Sequence, residues 1–312
     1  MKRCIRNCLL VLLASVLLLS LGCSSPLTVT TPSPIEITDQ LGRVVKLDKI
    51  PERIISLAPS NTEILYALGL ADKLVGVTDY CNYPPEVKEK ESIGGFSTPN
   101  IEKIIALAPD LIVAASLHQK TVIPNLEARG MTVFALAPKT VNEVLQAITL
   151  TGEITGAEKE ASRLVTEMSK RMKAITDKTN NLAETQKPRV FYVTRAEPLY
   201  SVGANNLIHE LITSAGGTNV FQDLSGTVTV SLEAVIQANP QVIIAGSQMG
   251  QAMPAFQFMK TDDRLRGIDA RTNNRIYEID VDTISRAGPR LVDALEELAK
   301  MIQPEIFGPL AN

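Results

Sequence analysis

Two glutamates, Glu102 and Glu233, stand 131 residues apart in matching contexts. The stretch Ile101 to Ala114 aligns without a gap with Leu232 to Ala245. Each copy starts after a residue suited to cap a helix, Asn100 or Ser231, runs a short helical pattern, breaks at a proline and enters an apolar run. A carboxylate in the first turn of a helix is favoured against the helix dipole by about 0.3–1 kcal/mol, which is one account of both residues. The other is that two like lobes each present one acidic group, a two-point dock for a partner with two basic pockets. The residues alone leave both accounts open.

Other chemistry is thinly represented. The sequence has no G-x-S-x-G elbow, no G-x-G-x-x-G after a strand and no P-loop. Its two histidines, His118 and His209, are too few for most all-protein metal sites and show no spacing that singles out an axial heme ligand. Cys81 is the lone cysteine of the body, with no His or Asn in recognisable relation to it, and is expected to be a buried or cleft-side thiol. With 31 basic against 34 acidic side chains, the chain lacks the basic excess of a nucleic-acid binder. At 312 residues and 45% hydrophobic it is long and apolar enough for two domains.

The N-terminus reads as a targeting segment. Lys2, Arg3 and Arg6 precede an uncharged apolar run from Cys8 to Gly22, shorter than the roughly 20 residues a membrane span needs. The run ends Leu19-Ser20-Leu21-Gly22-Cys23, which resembles a bacterial lipobox, so Cys23 is expected to carry lipid after residues 1–22 are removed. A plain secretory signal with Cys23 incidental is the alternative. Residues 23–34, rich in Ser, Thr and Pro, read as a flexible tether. The body contains a single cysteine, so no internal disulfide can hold it and its core must.

The elements that position these residues follow from periodicity. A hairpin is expected within Ile35 to Leu47, and short apolar strands alternate with helices from Arg53 to Leu136 and again from Arg189 to Met301. That alternation indicates parallel sheets in an α/β fold. Glu158 to Glu184 lacks Gly and Pro and carries one apolar stripe, Ala161, Leu164, Val165, Met168, Met172 and Ile175. It predicts a helix about 40 Å long, enough to cross from one domain to another. The domain plan is therefore an N-terminal lobe over 35–150, a bridging segment over 151–187 and a C-terminal lobe over 188–312.

Several motifs, in order, resemble one family. They are Ser56-Leu57-Ala58-Pro59-Ser60-Asn61-Thr62-Glu63, Val77 to Pro85, Gly94 to Glu102, Pro198 to Gly203, Ala215 to Phe221 and Val230 to Glu233. The family is the helix-backbone substrate-binding proteins of ABC importers for cobalamin and ferric siderophores. The resemblance covers about Ile35 to Pro304. It implies two Rossmann-like α/β lobes joined by one long backbone helix, with a ligand cleft between them and modest closure. It also implies that Glu102 and Glu233 dock onto arginines of an ABC permease dimer, whose ATPase subunits drive release. The protein is then no enzyme and needs no cofactor. It is expected to be a monomer, exported, and anchored to the cell envelope by its N-terminal lipid.

Within the family, the Asp79-Tyr80-Cys81-Asn82-Tyr83-Pro84-Pro85 stretch favours the cobalamin binders. Matched motif by motif, Tyr80 and Phe96 fall at aromatic cleft positions, where flat rings suit a macrocycle. Asp282 and Arg286 match a polar cleft pair, and the resemblance adds Ser60 and Asn61. The chain has no tryptophan, so Phe96 and Thr227 stand where a relative uses Trp. The competing ligand is a ferric siderophore, whose anionic chelate Arg195, Arg286 and Arg290 could meet; heme is a third. A lipid-anchored chelatase or hydrolase on the same frame, and a structural lipoprotein, are the alternatives of other classes.

Overall fold

The computed structural model describes residues 34–247 and 254–310. The expected leader, Cys23 and the tether up to residue 33 lie outside the described residues. No described helix is long and apolar enough to cross a membrane.

The expected hairpin is present as β1 (Ile35–Thr38) and β2 (Val44–Leu47). The buried Asp39 carboxylate accepts the Leu41 and Arg43 N–H groups in its turn, and the Ala135 N–H across 96 residues of sequence. A four-stranded parallel sheet follows: β3 (Ile54–Ser56), β4 (Leu74–Gly76), β5 (Leu111–Ala115) and β6 (Val133–Leu136), ordered β4-β3-β5-β6. Its strands are short apolar runs because helices cover both faces; Ile54, Ile55 and Leu111 to Ala114 are fully buried.

The C-terminal lobe repeats this plan. Strands β7 (Arg189–Val193), β10 (Thr218–Asn219), β12 (Val242–Ser247) and β13 (Ile276–Asp280) form a parallel sheet ordered β10-β7-β12-β13. Between them, β8 (Arg195–Ala196), β9 (Leu199–Val202) and β11 (Thr227–Thr229) make a small antiparallel sheet. Counted within its own parallel sheet, each lobe runs second, first, third, fourth. The internal repeat seen in the sequence thus falls on equivalent elements, the helix Ile101–Ala106 before β5 and the helix Leu232–Ala238 before β12.

The match reaches the backbone. Asn100 and Ser231 cap their helices by accepting the Lys103 and Ala234 N–H groups. Past each helix a non-glycine residue, Ala108 or Asn239, adopts φ of 43°, in the left-handed region. One arginine at the entry to each first strand donates to the carbonyls there: Arg53 to Leu107 and Ala108, Arg189 to Ala238 and Asn239. Both lobes therefore satisfy the orphan carbonyls of these helices in the same way.

The bridging helix spans Glu158–Thr179, about 33 Å at 1.5 Å per residue. It ends earlier than expected, and a 3-10 turn at Glu184–Gln186 follows it. Its stripe is the expected one: Ala161, Met168 and Ile175 are buried, with Leu164, Val165 and Met172 packed beside them. A helix with no counterpart among the expected elements, Val141–Thr155, precedes it and runs across residue 150. Left-handed Gly156 (φ 72°) ends that helix. Arg171 pins the bridge to the helix Leu291–Ile302 through Asp293 and Glu296, at 2.6 and 2.7 Å.

Candidate functional site: a cleft between the two lobes

Parallel sheets leave a crevice at the carboxyl ends of their strands. Here the N-terminal wall is Pro59 and Ser60 after β3, Ala115 and Ser116 at the end of β5, Leu136 to Pro138 at the end of β6 and just past it, and the loop residues Tyr80 and Phe96. Asp282, Ser285, Arg286 and Ala287, just after β13, face them from the other lobe across a hollow of about 350 Å³. A second hollow of about 410 Å³ shares Pro138, Ser285 and Ala287 with the first and continues along Lys139, Thr194, Val202, Asn205 to Ile208 and Thr227. Tyr80 is 62% exposed, so its ring is free to meet a ligand.

Of the residues expected in the cleft, Tyr80, Phe96, Ser60, Asp282 and Arg286 come together, and Thr227 lines the second hollow. Asn61 does not line it. It is 2% exposed and its amide donates to the Val113 and Ala114 carbonyls, tying its helix to β5. Arg195 lies instead at a separate cavity of about 500 Å³ with Glu197 and Phe258.

Asp282 and Arg286 are engaged across the lobe boundary by residues that sequence reasoning left out. Arg286 donates through Nη1 to Glu63 Oε1 (2.9 Å) and Asn82 Oδ1 (2.7 Å), and through Nη2 to the Tyr80 carbonyl (3.3 Å). Its Nη2 also pairs with Asp282 Oδ2 at 2.8 Å, which accepts the Asn82 amide at 2.9 Å. Beneath, Arg290 grips both oxygens of Glu63, Nε at 2.9 Å and Nη2 at 2.7 Å, with its guanidinium 4.2 Å from the Tyr83 ring centre. Burial pulls the Arg290 pKa down, but the Glu63 hydrogen bonds and charge outweigh it and leave the group above the ordinary arginine value. Two lobes that share a buried carboxylate in this way are held in one register. The sequence signal for this role is weak: Glu63 is an acid at the head of the apolar run Ile64-Leu65, directly after the polar Ser60-Asn61-Thr62, and nothing in that pattern names its arginine partners.

His118 is the other omission. It is fully buried, Nδ1 accepting the Ala115 N–H (2.9 Å) and Nε2 donating to the Phe96 carbonyl (2.7 Å). Its ring meets Phe96 edge-on, with centroids 5.6 Å apart. Burial lowers its pKa, opposed in part by the Phe96 carbonyl, so a neutral imidazole holds the Phe96 loop against the end of β5. Both ring nitrogens are occupied, which leaves none for iron. Cys81 is buried with its sulfur 3.2 Å from the Thr62 hydroxyl and 3.3 Å from that of Thr78, a packed thiol. Among the described residues no group of three His, Cys, Asp or Glu is arranged for a metal ion.

Glu102 and Glu233 are exposed in the first turns of their equivalent helices. These helices run back against the parallel strands, so both first turns lie toward the strands' carboxyl ends, the side of the cleft. The Glu233 carboxyl is held below the usual carboxylate value by its own backbone N–H and the Ser231 hydroxyl.

These features agree with what the chain is similar to. The model of a family described as periplasmic binding protein matches residues 54–283. An uncharacterized ABC transporter substrate-binding lipoprotein of Bacillus subtilis, YvrC, is 34% identical over 312 residues, covering 95% of this chain and 96% of its own. The crystal structure of the periplasmic vitamin B12-binding protein BtuF of Vibrio cholerae is 30% identical, with a TM-score of 0.67, over 80% of this chain and 96% of that one. A possible iron-binding (periplasmic solute-binding) protein from Staphylococcus epidermidis is also 30% identical, with a TM-score of 0.71, over 81% and 99%. The chain belongs to the periplasmic binding protein family. It is a two-lobed substrate-binding protein of an ABC importer, and its family serves transport rather than catalysis.

Proposed function

We propose that the protein captures cobalamin or a related corrinoid outside the cell membrane and delivers it to an ABC permease. The observation that carries this reading is the charge state of the ring-lined end of the cleft. Arg286 and Arg290 face Glu63, Asp282 and, at 4.0 Å, Asp280, so the network has no positive charge to spare. A polyanionic ferric chelate needs unpaired cations. A corrinoid presents a flat macrocycle fringed with neutral amides, which suits exposed Tyr80, Phe96 and the hydroxyls of Ser60, Ser116 and Ser285. The vitamin B12-binding relative supports the same ligand class. A ferric chelate is the second reading, favoured by the description of the Staphylococcus relative.

In this account Cys23 carries the lipid that keeps the tethered body at the membrane face. Glu102 and Glu233 pair with basic pockets on the two permease subunits, and ATP hydrolysis by separate subunits drives release. Like-charge repulsion at such a contact costs several kcal/mol. Reversing both residues with Glu102→Lys and Glu233→Lys is expected to abolish transport and leave ligand affinity intact. Lost ligand affinity in that variant would show that the two serve the cleft or the fold instead.

A further inference from the structure

Of the residues lining the two hollows, only Asp282, Arg286 and Lys139 are charged, and Asp282 and Arg286 pair with one another. Lys139, just past β6, lines the second hollow, and its ammonium has no carboxylate within ion-pair distance among the described residues. Glu143, four residues on, accepts the Lys139 backbone N–H rather than its ammonium. Across the hollow stand polar groups of the other lobe, Asn205, Asn206 and Thr227. The cleft is therefore uneven along its length. One end has rings and a closed ion network, and the other has a lone cation among hydrogen-bonding side chains.

We propose that this second hollow is a subsite for a single anionic appendage of the ligand, with Lys139 as the residue that reads it. Resting on the corrinoid reading, the inference names the appendage as the phosphodiester of the nucleotide loop, the one anionic group outside the macrocycle of a complete cobalamin. The macrocycle occupies the ring-lined end and the loop extends past Pro138, Ser285 and Ala287, which both hollows share. Lys139 then makes the protein prefer complete corrinoids over those lacking the loop.

The test uses the full chain in detergent and equilibrium dialysis against cyanocobalamin and dicyanocobinamide, which lacks the loop and its phosphodiester. Lys139→Gln is expected to weaken cyanocobalamin by about two- to five-fold, the range of a solvent-exposed ion pair, and to leave dicyanocobinamide unchanged. Lys139→Glu should lower cyanocobalamin affinity further and again spare dicyanocobinamide. The wild-type preference should also shrink as salt is raised. Lys139 is exposed, so an unchanged melting temperature separates these effects from folding. Equal losses for both corrinoids, or none for either, overturn the subsite. So does micromolar binding of inorganic phosphate alone with the same Lys139 dependence, because the hollow would then be a free-anion site. A wild-type chain that binds neither corrinoid overturns the corrinoid reading itself, and the subsite with it.

Discussion

Glu63 is the residue on which the lobe contact turns. Its carboxylate, 3% exposed, answers two guanidiniums from the other lobe. Removing one partner of a buried ion pair leaves uncompensated charge, at about 3–5 kcal/mol. Glu63→Ala is therefore expected to lower unfolding stability by that order in urea titration, and an effect within 1 kcal/mol would show that the arginines find water instead. At His118 the sign of the pH effect follows from the lowered pKa. The unfolded chain takes up its proton near the ordinary value of about 6.5, before the folded chain does, so stability falls as pH drops below that point. His209, also lowered by burial, acts in the same direction. Melting curves across this range are expected to be less pH-dependent in His118→Gln, and an unchanged slope would remove the imidazole from the account. Tyr80, Phe96, Asp282 and Arg286, which line one hollow, were legible together through the family resemblance. The partners of Arg286 were not, because Glu63 lies 223 residues away in sequence and only the packed lobes bring them together.

At the scale of elements, the helix–proline–strand repeat was legible and predicted equivalent places in two sheets. What escaped was short or locally ambiguous. The small antiparallel sheet is made of strands two to four residues long, below the length at which alternation declares itself. The helix Val141–Thr155 holds Thr149, Thr151 and Thr155, whose branched side chains lower helix propensity. Its ends were readable all the same: Thr140 accepts the Glu143 N–H, and Gly156 closes the other end. This helix meets the bridging helix where Gly152 faces Ala161, so closely that an added Cβ would stand 2.5 Å from that of Ala161. Gly152→Ala is expected to destabilise by about 1–3 kcal/mol through overpacking, although alanine is the better helix former. A stabilised variant in chemical denaturation would contradict that contact. The carbonyl caps by Arg53 and Arg189 have no period or motif to announce them, since each arginine is remote in sequence from the helix it caps.

For the whole molecule, the bridging helix and the Glu63 network limit the motion open to the lobes. The helix is packed into the core along one face and pinned by Arg171, while the network joins the walls of the cleft itself. Ligand binding is therefore expected to change the radius of gyration by less than about 1 Å in small-angle scattering, the scale of a preformed interface. A change of several ångströms would mean that the lobes swing. The division into two lobes was legible because composition and periodicity change at the bridge. The charge balance of the ring-lined end was not legible, because it depends on pairs that form only in the folded chain. The central claim is that the cleft, with its ring-lined and charge-balanced end, takes a corrinoid. The most direct measurement is a binding titration of the full chain in detergent with cyanocobalamin, a ferric hydroxamate, a ferric catecholate and heme, repeated with Tyr80→Ala. Saturable one-to-one binding of cyanocobalamin alone, weakened in the variant, is the predicted result; binding of an iron chelate in place of the corrinoid would contradict it.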